Sequence, residues 1–119
     1  MQVSTVFVAL ADPIENLAEF YQVFFALEPA VQVPQVYTEF ELPGLRLGIF
    51  KPKPDHHPEF MGQAGSMSLC IEVECLEAAI ERLRQIGYTT PLDIMTASHG
   101  RETYAYDPAG NRLILHESH

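Results

Sequence analysis

The sequence contains no tryptophan, and its seven lysine and arginine residues face sixteen aspartate and glutamate residues. The net charge of −9 disfavours a surface that binds phosphate backbones or anionic lipid, so we expect no nucleic-acid partner and no membrane partner. No apolar run approaches the roughly 18 residues of a membrane-spanning helix, and the first ten residues lack the basic start of a leader peptide. We therefore expect a cytoplasmic protein.

Cysteine is also scarce. Cys70 and Cys75 are the two cysteines, and no second Cys or His pair stands at zinc-finger spacing. The sequence therefore predicts neither a disulfide framework nor a structural zinc ion. Cys70 falls in a predicted strand and is interpreted as a small buried residue rather than a nucleophile.

The first part of the chain predicts a strand, a helix and three strands. Residues 3–10 are β-branched and apolar, as in a strand buried on both faces. Asp12 then offers a helix N-cap before a proline, and apolar residues recur at helical spacing to about Leu27. Extended stretches follow at 31–33, 36–42 and 45–50, with Pro43-Gly44 as a turn.

The same order is predicted a second time, after a Pro- and Gly-rich linker at residues 51–65. Residues 66–74 alternate as a strand, and a helix at 76–87 ends at Gly87, a suitable C-terminal cap. Three further strands are predicted at 92–96, 102–106 and 112–117, with a tight turn at 107–111 between the last two. The chain therefore reads as one α+β domain of two βαβββ repeats, residues 1–50 and 66–119, which should share a core or a cavity.

Three segments carry a resemblance to a known family: Asp12-Pro13 opening the first helix, LEAAIERLRQIG at residues 76–87, and YDPAGNRLILHE at 106–117. With the duplicated topology, they make the chain resemble the glyoxalase/bleomycin resistance protein/dioxygenase superfamily, also called vicinal oxygen chelate proteins. The resemblance implies a glyoxalase-like sheet around a cavity and a homodimer.

In the metal-dependent members of that superfamily, four His, Glu or Gln residues from the first and last strands of each half hold one divalent ion. The corresponding positions in this sequence are Thr5, Gly48, Ser68 and Ile114. Gly and Ile offer no side-chain donor, and neutral hydroxyls are poor substitutes for imidazole and carboxylate. The resemblance therefore predicts that the usual metal site is absent, and we expect no cofactor.

Strand alternation indicates which side chains would share a face with those four positions. Tyr104 and Tyr106 lie two residues apart and could either pack in the core or form a wall for a planar ligand. The residues predicted to contact a small organic ligand are Phe7, Arg46, Phe50, Ser68, Cys70, Tyr104, Arg112 and His116.

The histidines give only weak evidence for a catalytic or metal-binding role. His116 could act as a general base, with Glu72 as a second catalytic candidate, but no residue that would orient His116 is evident from the sequence. His56 and His57 lie in the linker, where solvated loop residues are the usual case.

Two functions are favoured over a third, a scaffold whose exposed surface binds another protein, for which no specific residue gives support. The first is a non-catalytic protein that binds or sequesters a small organic molecule in a cleft, similar to the antibiotic-sequestering members of the superfamily. The second is a lyase, isomerase or dioxygenase of the same superfamily, which would work through a metal-free acid or base or through a relocated metal among His56, His57, His99 and His116.

Overall fold

The computed structural model describes residues 1–12, 16–61 and 65–118. It divides the chain into two compact units, residues 1–61 and 62–119. Each unit has one α-helix and one four-stranded mixed sheet. The fold is α+β with two repeats, as predicted.

The first unit has strand order β1-β4-β3-β2, in which β1 runs parallel to β4 and the other neighbours are antiparallel. A 3₁₀ helix at Pro54–Phe60 follows the last strand, inside the segment predicted as an unstructured linker. The other elements are β1 Val8–Ala11, α1 Leu17–Phe25, β2 Val31–Val33, β3 Tyr37–Leu42 and β4 Leu45–Phe50.

The second unit repeats this order as β5-β8-β7-β6, again with one parallel pair, β5 with β8. The same βαβββ connection therefore occurs in both units. The elements are β5 Leu69–Glu72, α2 Leu76–Gln85, β6 Met95–Ala97, β7 Gly100–Tyr106 and β8 Arg112–Ser118.

In the first unit, apolar residues at positions i, i+4 and i+7 give α1 its buried side. These are Leu17, Tyr21 and Phe24. The buried residues of the sheet include Phe40 and Leu47, which are direct partners across β3 and β4 and therefore share a face. Burying each such side chain contributes about 1.5–3 kcal/mol. The alternate residues of β4 lie on the opposite face, which we call the open face of the first sheet.

The second unit separates its faces in the same way. Leu76, Ile80 and Leu83 form the buried side of α2. The buried residues of the sheet include Thr103, Ala105, Leu113 and Leu115. The open face of the second sheet carries the alternate residues of β5, β7 and β8, including Tyr104 and Tyr106, which are both exposed.

A carboxylate satisfies the first free N–H of each helix. Asp12 was predicted as the N-cap of α1, and its Oδ2 accepts a hydrogen bond from the Leu17 N–H at 3.1 Å, although the N-cap position itself is Asn16. In the second unit Glu117, at the end of β8, accepts a hydrogen bond from the Leu76 N–H at 2.7 Å. The predicted proline and glutamate of the first helical turn, Pro13 and Glu15, lie outside the described residues.

Several predicted boundaries were wrong by a few residues. The first strand begins at Val8 rather than at residue 3, and it is not buried on both faces, because Ala9 is exposed and the other residues of Val8–Ala11 are only half-buried. Helix α1 ends at Phe25 because Ala26 adopts a left-handed conformation, φ 54°, and the Leu27 N–H closes the end on the Gln22 carbonyl.

In the second unit the strand predicted at 66–74 is observed at Leu69–Glu72. The strand predicted at 92–96 is observed at Met95–Ala97. The predicted cap at Gly87 is confirmed by its φ of 99°. None of the helices in the described parts of the chain is long and apolar enough to cross a membrane.

Candidate functional site

The open face of the first sheet carries three of the residues predicted to contact a ligand. Arg46 and Phe50 alternate with Gly48 along β4, and Phe7 directly precedes β1. The guanidinium carbon of Arg46 stands 4.5 Å from the centre of the Phe7 ring, and its Nε lies 3.8 Å from Oε1 of Glu39. Phe50 meets Phe60 edge to face with 5.0 Å between ring centres. This face therefore combines aromatic rings with a paired positive charge.

Tyr37 and Glu39 are residues of this face that sequence reasoning missed. The Tyr37 hydroxyl donates a 2.7 Å hydrogen bond to Glu39 Oε1, and its ring lies against Gly48. Partial burial, together with the bond to Glu39, raises the pKa of Tyr37. Only the strand register reveals this proximity, because Tyr37 is paired with Phe50 and is thus a diagonal neighbour of Gly48.

A pocket of about 290 Å³ lies within the first unit beside α1. Its walls include Gln22 of α1, Gln32 of β2, and Tyr37, Phe50 and Lys51. Phe50 is the one predicted ligand contact among its lining residues. Neither Arg46 nor Phe7 is among the lining residues, so the pocket is not formed by the predicted ligand contacts as a group.

The open face of the second sheet carries the remaining predicted contacts. Arg112 donates hydrogen bonds to the Ser68 hydroxyl at 3.1 Å and to the Gly65 carbonyl at 2.7 Å. Tyr104 is exposed, and its hydroxyl lies 3.5 Å from Oε1 of Glu102.

Cys70 was predicted to be buried, and this was wrong. Its side chain is exposed because Leu69 and Ile71, rather than Cys70, alternate toward the helix side of the sheet. Partial desolvation raises the pKa of the Cys70 thiol, and the nearby carboxylates of Glu72 and Glu102 add to this effect.

The two catalytic candidates, His116 and Glu72, lie side by side as partners in the parallel β5–β8 pair. His116 Nδ1 is 2.5 Å from Glu72 Oε1. Glu72 is held in turn by the hydroxyl and the N–H of Ser118, at 2.8 and 3.2 Å. These bonds from Ser118 and His116 keep the pKa of Glu72 below its usual range. Glu72 is thus the orienting partner that the sequence did not reveal, since 44 residues separate the two.

His116 also has a neighbour on its other side, where Glu102 of β7 is its antiparallel partner. The ring of His99, in the turn before β7, stacks on the ring of His116 with 4.9 Å between centres and 26° between planes. One ligating atom from each of His99, Glu102 and His116 lies within 4.8 Å of the others. We call these three residues the His99 cluster.

His56, His57 and a second group of acidic residues are less well arranged to bind a metal ion than the His99 cluster. His56 and His57 lie in the 3₁₀ helix of the first unit and belong to no such cluster among the described residues. Cys75, Glu77 and Glu117 also lie close together, but Arg101 binds both of those glutamates, at 2.5 and 2.9 Å. The positive charge of Arg101 therefore occupies the place that a cation would take.

The four positions that correspond to the superfamily's metal ligands do not fit a metal ion. A side chain at Gly48 would collide with Tyr37, the Ser68 hydroxyl accepts a bond from Arg112, and Ile114 offers no donor. Thr5 lies outside the strands, with its side chain exposed. These residues leave the usual metal without an imidazole or carboxylate ligand at any of the four positions.

The paired βαβββ units place the protein in the glyoxalase-like, vicinal oxygen chelate class of folds. The family model of the Glyoxalase/Bleomycin resistance protein/Dioxygenase superfamily matches residues 6–115. The chain therefore belongs to this superfamily. No curated protein matches the chain significantly.

Solved structures similar to this chain carry the same fold. A glyoxalase-related enzyme from Fulvimarina pelagi is 22% identical, with 98% of this chain and 89% of that one covered and a TM-score of 0.76. The fosfomycin resistance protein FosX from Listeria monocytogenes is 18% identical over 100% and 96% of the chains, with a TM-score of 0.75. A lactoylglutathione lyase from Agrobacterium tumefaciens is 23% identical over 98% and 95%, with a TM-score of 0.67.

Proposed function

We propose that this protein binds a small, planar organic molecule on the open face of one of its sheets, without a metal ion at the positions that the superfamily's enzymes use. The observation that carries this proposal is the content of the two open faces. They present exposed Phe7, Tyr104 and Tyr106 beside arginine and glutamate side chains, whereas the opposite faces carry buried core residues such as Phe40, Leu47, Leu113 and Leu115. Rings with polar groups at their edges are the usual lining of small-molecule sites.

The charged groups of these faces favour a ligand without a large net charge. Arg46 is paired with Glu39, and Arg112 is engaged by Ser68 and two backbone carbonyls. The Glu72 carboxylate is occupied by hydrogen bonds from His116 and Ser118. Stacking would therefore supply most of the affinity, and the polar groups would orient the ligand.

The test is a nuclear magnetic resonance screen of planar aromatic compounds, in neutral, cationic and anionic sets, against full-length protein in EDTA. We expect saturable shifts in the amides of β4 or in those of β7 and β8. Replacing Phe7 or Tyr104 with alanine should weaken a hit about two- to tenfold, because an aromatic pair is worth about 0.5–1.5 kcal/mol. The matched control is Val23→Ala, which truncates an exposed residue of α1. A screen without saturable hits, or hits that Phe7→Ala and Tyr104→Ala both leave unchanged, would refute the proposal.

A homodimer is part of this proposal, since members of the superfamily are typically dimeric and bind small molecules. Light scattering should give twice the mass of one chain, and a monomer at all concentrations would contradict the expectation.

A second candidate function, an enzyme of the same superfamily, is favoured by one contact. The Glu72 carboxylate orients His116 through Nδ1, as a carboxylate does for a catalytic histidine acting as a general base. Its test is turnover of a compound found in the screen. New resonances that disappear in His116→Ala would support catalysis, and an unchanged compound after prolonged incubation would count against it.

A further inference from the structure

The buried lone pair of His116 is the starting point of a separate inference. A carboxylate can only accept a hydrogen bond, so the 2.5 Å contact with Glu72 places the ring proton of His116 on Nδ1. In the neutral imidazole, Nε2 then carries a lone pair. This atom is buried and has no hydrogen-bond partner among the described residues. A buried acceptor without a partner is energetically costly, and such atoms in native proteins usually have a water molecule, an ion or a ligand as partner.

Nε2 of His116 lies beside the beginning of β7. A Cβ atom added to Gly100 would lie 3.2 Å from Nε2, and Gly100 directly follows His99. Strand β8 lies between β5 and β7, so His116 has Glu72 on one side and Glu102 on the other. The orienting carboxylate and the remaining members of the His99 cluster therefore occupy opposite sides of the imidazole.

The spacing and chemistry of the His99 cluster suit a divalent transition-metal ion. Ligand atoms around a tetrahedral zinc ion stand about 3.4 Å apart, because each bond is about 2.1 Å long. The three atoms of the cluster already lie within 4.8 Å of one another, a difference that side-chain rotation can supply. Two imidazoles and one carboxylate form a donor set that zinc uses with a fourth position open to water or substrate.

The residues and solvent around the His99 cluster also favour metal binding. A carboxylate bonded to the far nitrogen of a histidine ligand fixes its orientation and increases its basicity, and Glu72 is placed to do this. Glu102 and Glu72 give the region negative charge. The cluster is partly open to solvent, since His99 is exposed whereas Glu102 and His116 are half-buried.

We propose that His99, Glu102 and His116 bind one divalent transition-metal ion of the zinc type, with Glu72 as the positioning residue for His116. This site differs in every residue from the four positions that correspond to the superfamily's metal ligands, and it lies entirely within the second unit. It goes beyond the proposed small-molecule function, whose test is made in EDTA and does not depend on it.

The experiment is a titration of the untagged, EDTA-stripped and dialysed full chain with Co²⁺ alone, followed by its visible absorption, and with Zn²⁺ alone by calorimetry. We expect one ion per chain. His99→Ala and His116→Ala should abolish saturable binding. Glu72→Gln should weaken it about 10- to 100-fold and leave the stoichiometry unchanged, as expected for a residue that acts through a ligand.

The matched control is the double variant His56→Ala/His57→Ala, which removes two histidines from the 3₁₀ helix and should bind the ion like the unaltered chain. Circular dichroism establishes that each variant is folded, and His99→Ala, in a turn, serves if His116→Ala does not fold. The proposal is overturned if the dissociation constant is weaker than about 1 mM. It is equally overturned if folded His99→Ala binds as the unaltered chain does, or if the His56/His57 variant alone loses the ion.

Discussion

The hydroxyl group of Tyr37 lies so close to Gly48 that a Cβ atom on residue 48 would fall 2.5 Å from its oxygen and 2.9 Å from its ring. Gly48 is one of the four positions that the sequence resemblance assigns to the metal ligands of the superfamily's enzymes. In this chain the aromatic ring of a neighbouring strand takes the space that such a ligand would need. The lack of a side chain at residue 48 and the position of the Tyr37 ring therefore depend on each other.

This contact predicts that the effect of an alanine at position 48 depends on residue 37. Gly48→Ala should destabilise the protein by about 1–3 kcal/mol, because the added methyl group forces Tyr37 out of place. In a Tyr37→Ala background the same substitution should stabilise by about 0.5–1 kcal/mol, since glycine in a strand costs conformational entropy and the collision is gone. Urea unfolding of the four proteins measures both effects.

The double-mutant cycle contains its own control, the Tyr37→Ala variant without a change at residue 48. Equal effects of Gly48→Ala in the two backgrounds would show that the ring does not restrict this position.

Tyr37 should ionise at higher pH than an ordinary tyrosine, because burial and the bond to Glu39 raise its pKa. The contribution of Tyr37 to the free energy of unfolding is therefore complete below its pKa in the unfolded chain. This contribution is lost as pH rises through its higher pKa in the folded chain. An absorbance titration of phenolate formation should show a late component that Tyr37→Phe removes. Tyr104→Phe is the control, and loss of the late component in that variant instead would contradict the assignment.

Asp107 should contribute more to the free energy of unfolding than an exposed aspartate does, because its carboxylate accepts the hydrogen bonds that hold the turn between β7 and β8. Its Oδ1 accepts bonds from the N–H groups of Ala109 and Asn111, at 3.0 and 2.9 Å, and its Oδ2 accepts one from the Asn111 side chain at 2.8 Å. We expect Asp107→Ala to cost about 1–3 kcal/mol in urea unfolding. Asp55→Ala, which removes the same charge from an exposed site, should change stability by less than about 0.5 kcal/mol. Equal effects would show that only net charge matters.

The fold could be predicted from the sequence because local sequence patterns specify its helices and turns. Helical periodicity identified α1 and α2, and the segment from Asp107 to Asn111 forms the predicted turn, closed by the Gly110 N–H on the Asp107 carbonyl. The ends of elements were less accessible, since they depend on single backbone conformations such as that of Ala26.

The candidate site was only partly accessible, for a different reason. Alternation along a strand correctly grouped Arg46, Gly48 and Phe50, and it separated His116 from Glu117. It could not show that Glu72 lies beside His116 or that Tyr37 lies over Gly48, because these contacts depend on the register between strands. The His99 cluster depends on register for the same reason.

The Cys70 thiol should react slowly with iodoacetamide near neutral pH, because its raised pKa leaves less thiolate. The measurement is the alkylation rate against pH in EDTA for Cys75→Ser, which leaves Cys70 as the only cysteine, compared with N-acetylcysteine. The midpoint for Cys70 should be the higher of the two. Desolvation is the largest cause of the raised pKa, followed by Glu72 and then Glu102, so Glu72→Gln in the same background should lower the midpoint only in part. A full return to the behaviour of the free thiol would mean that charge, rather than desolvation, controls this cysteine, and an initial midpoint at or below that of N-acetylcysteine would contradict the prediction altogether.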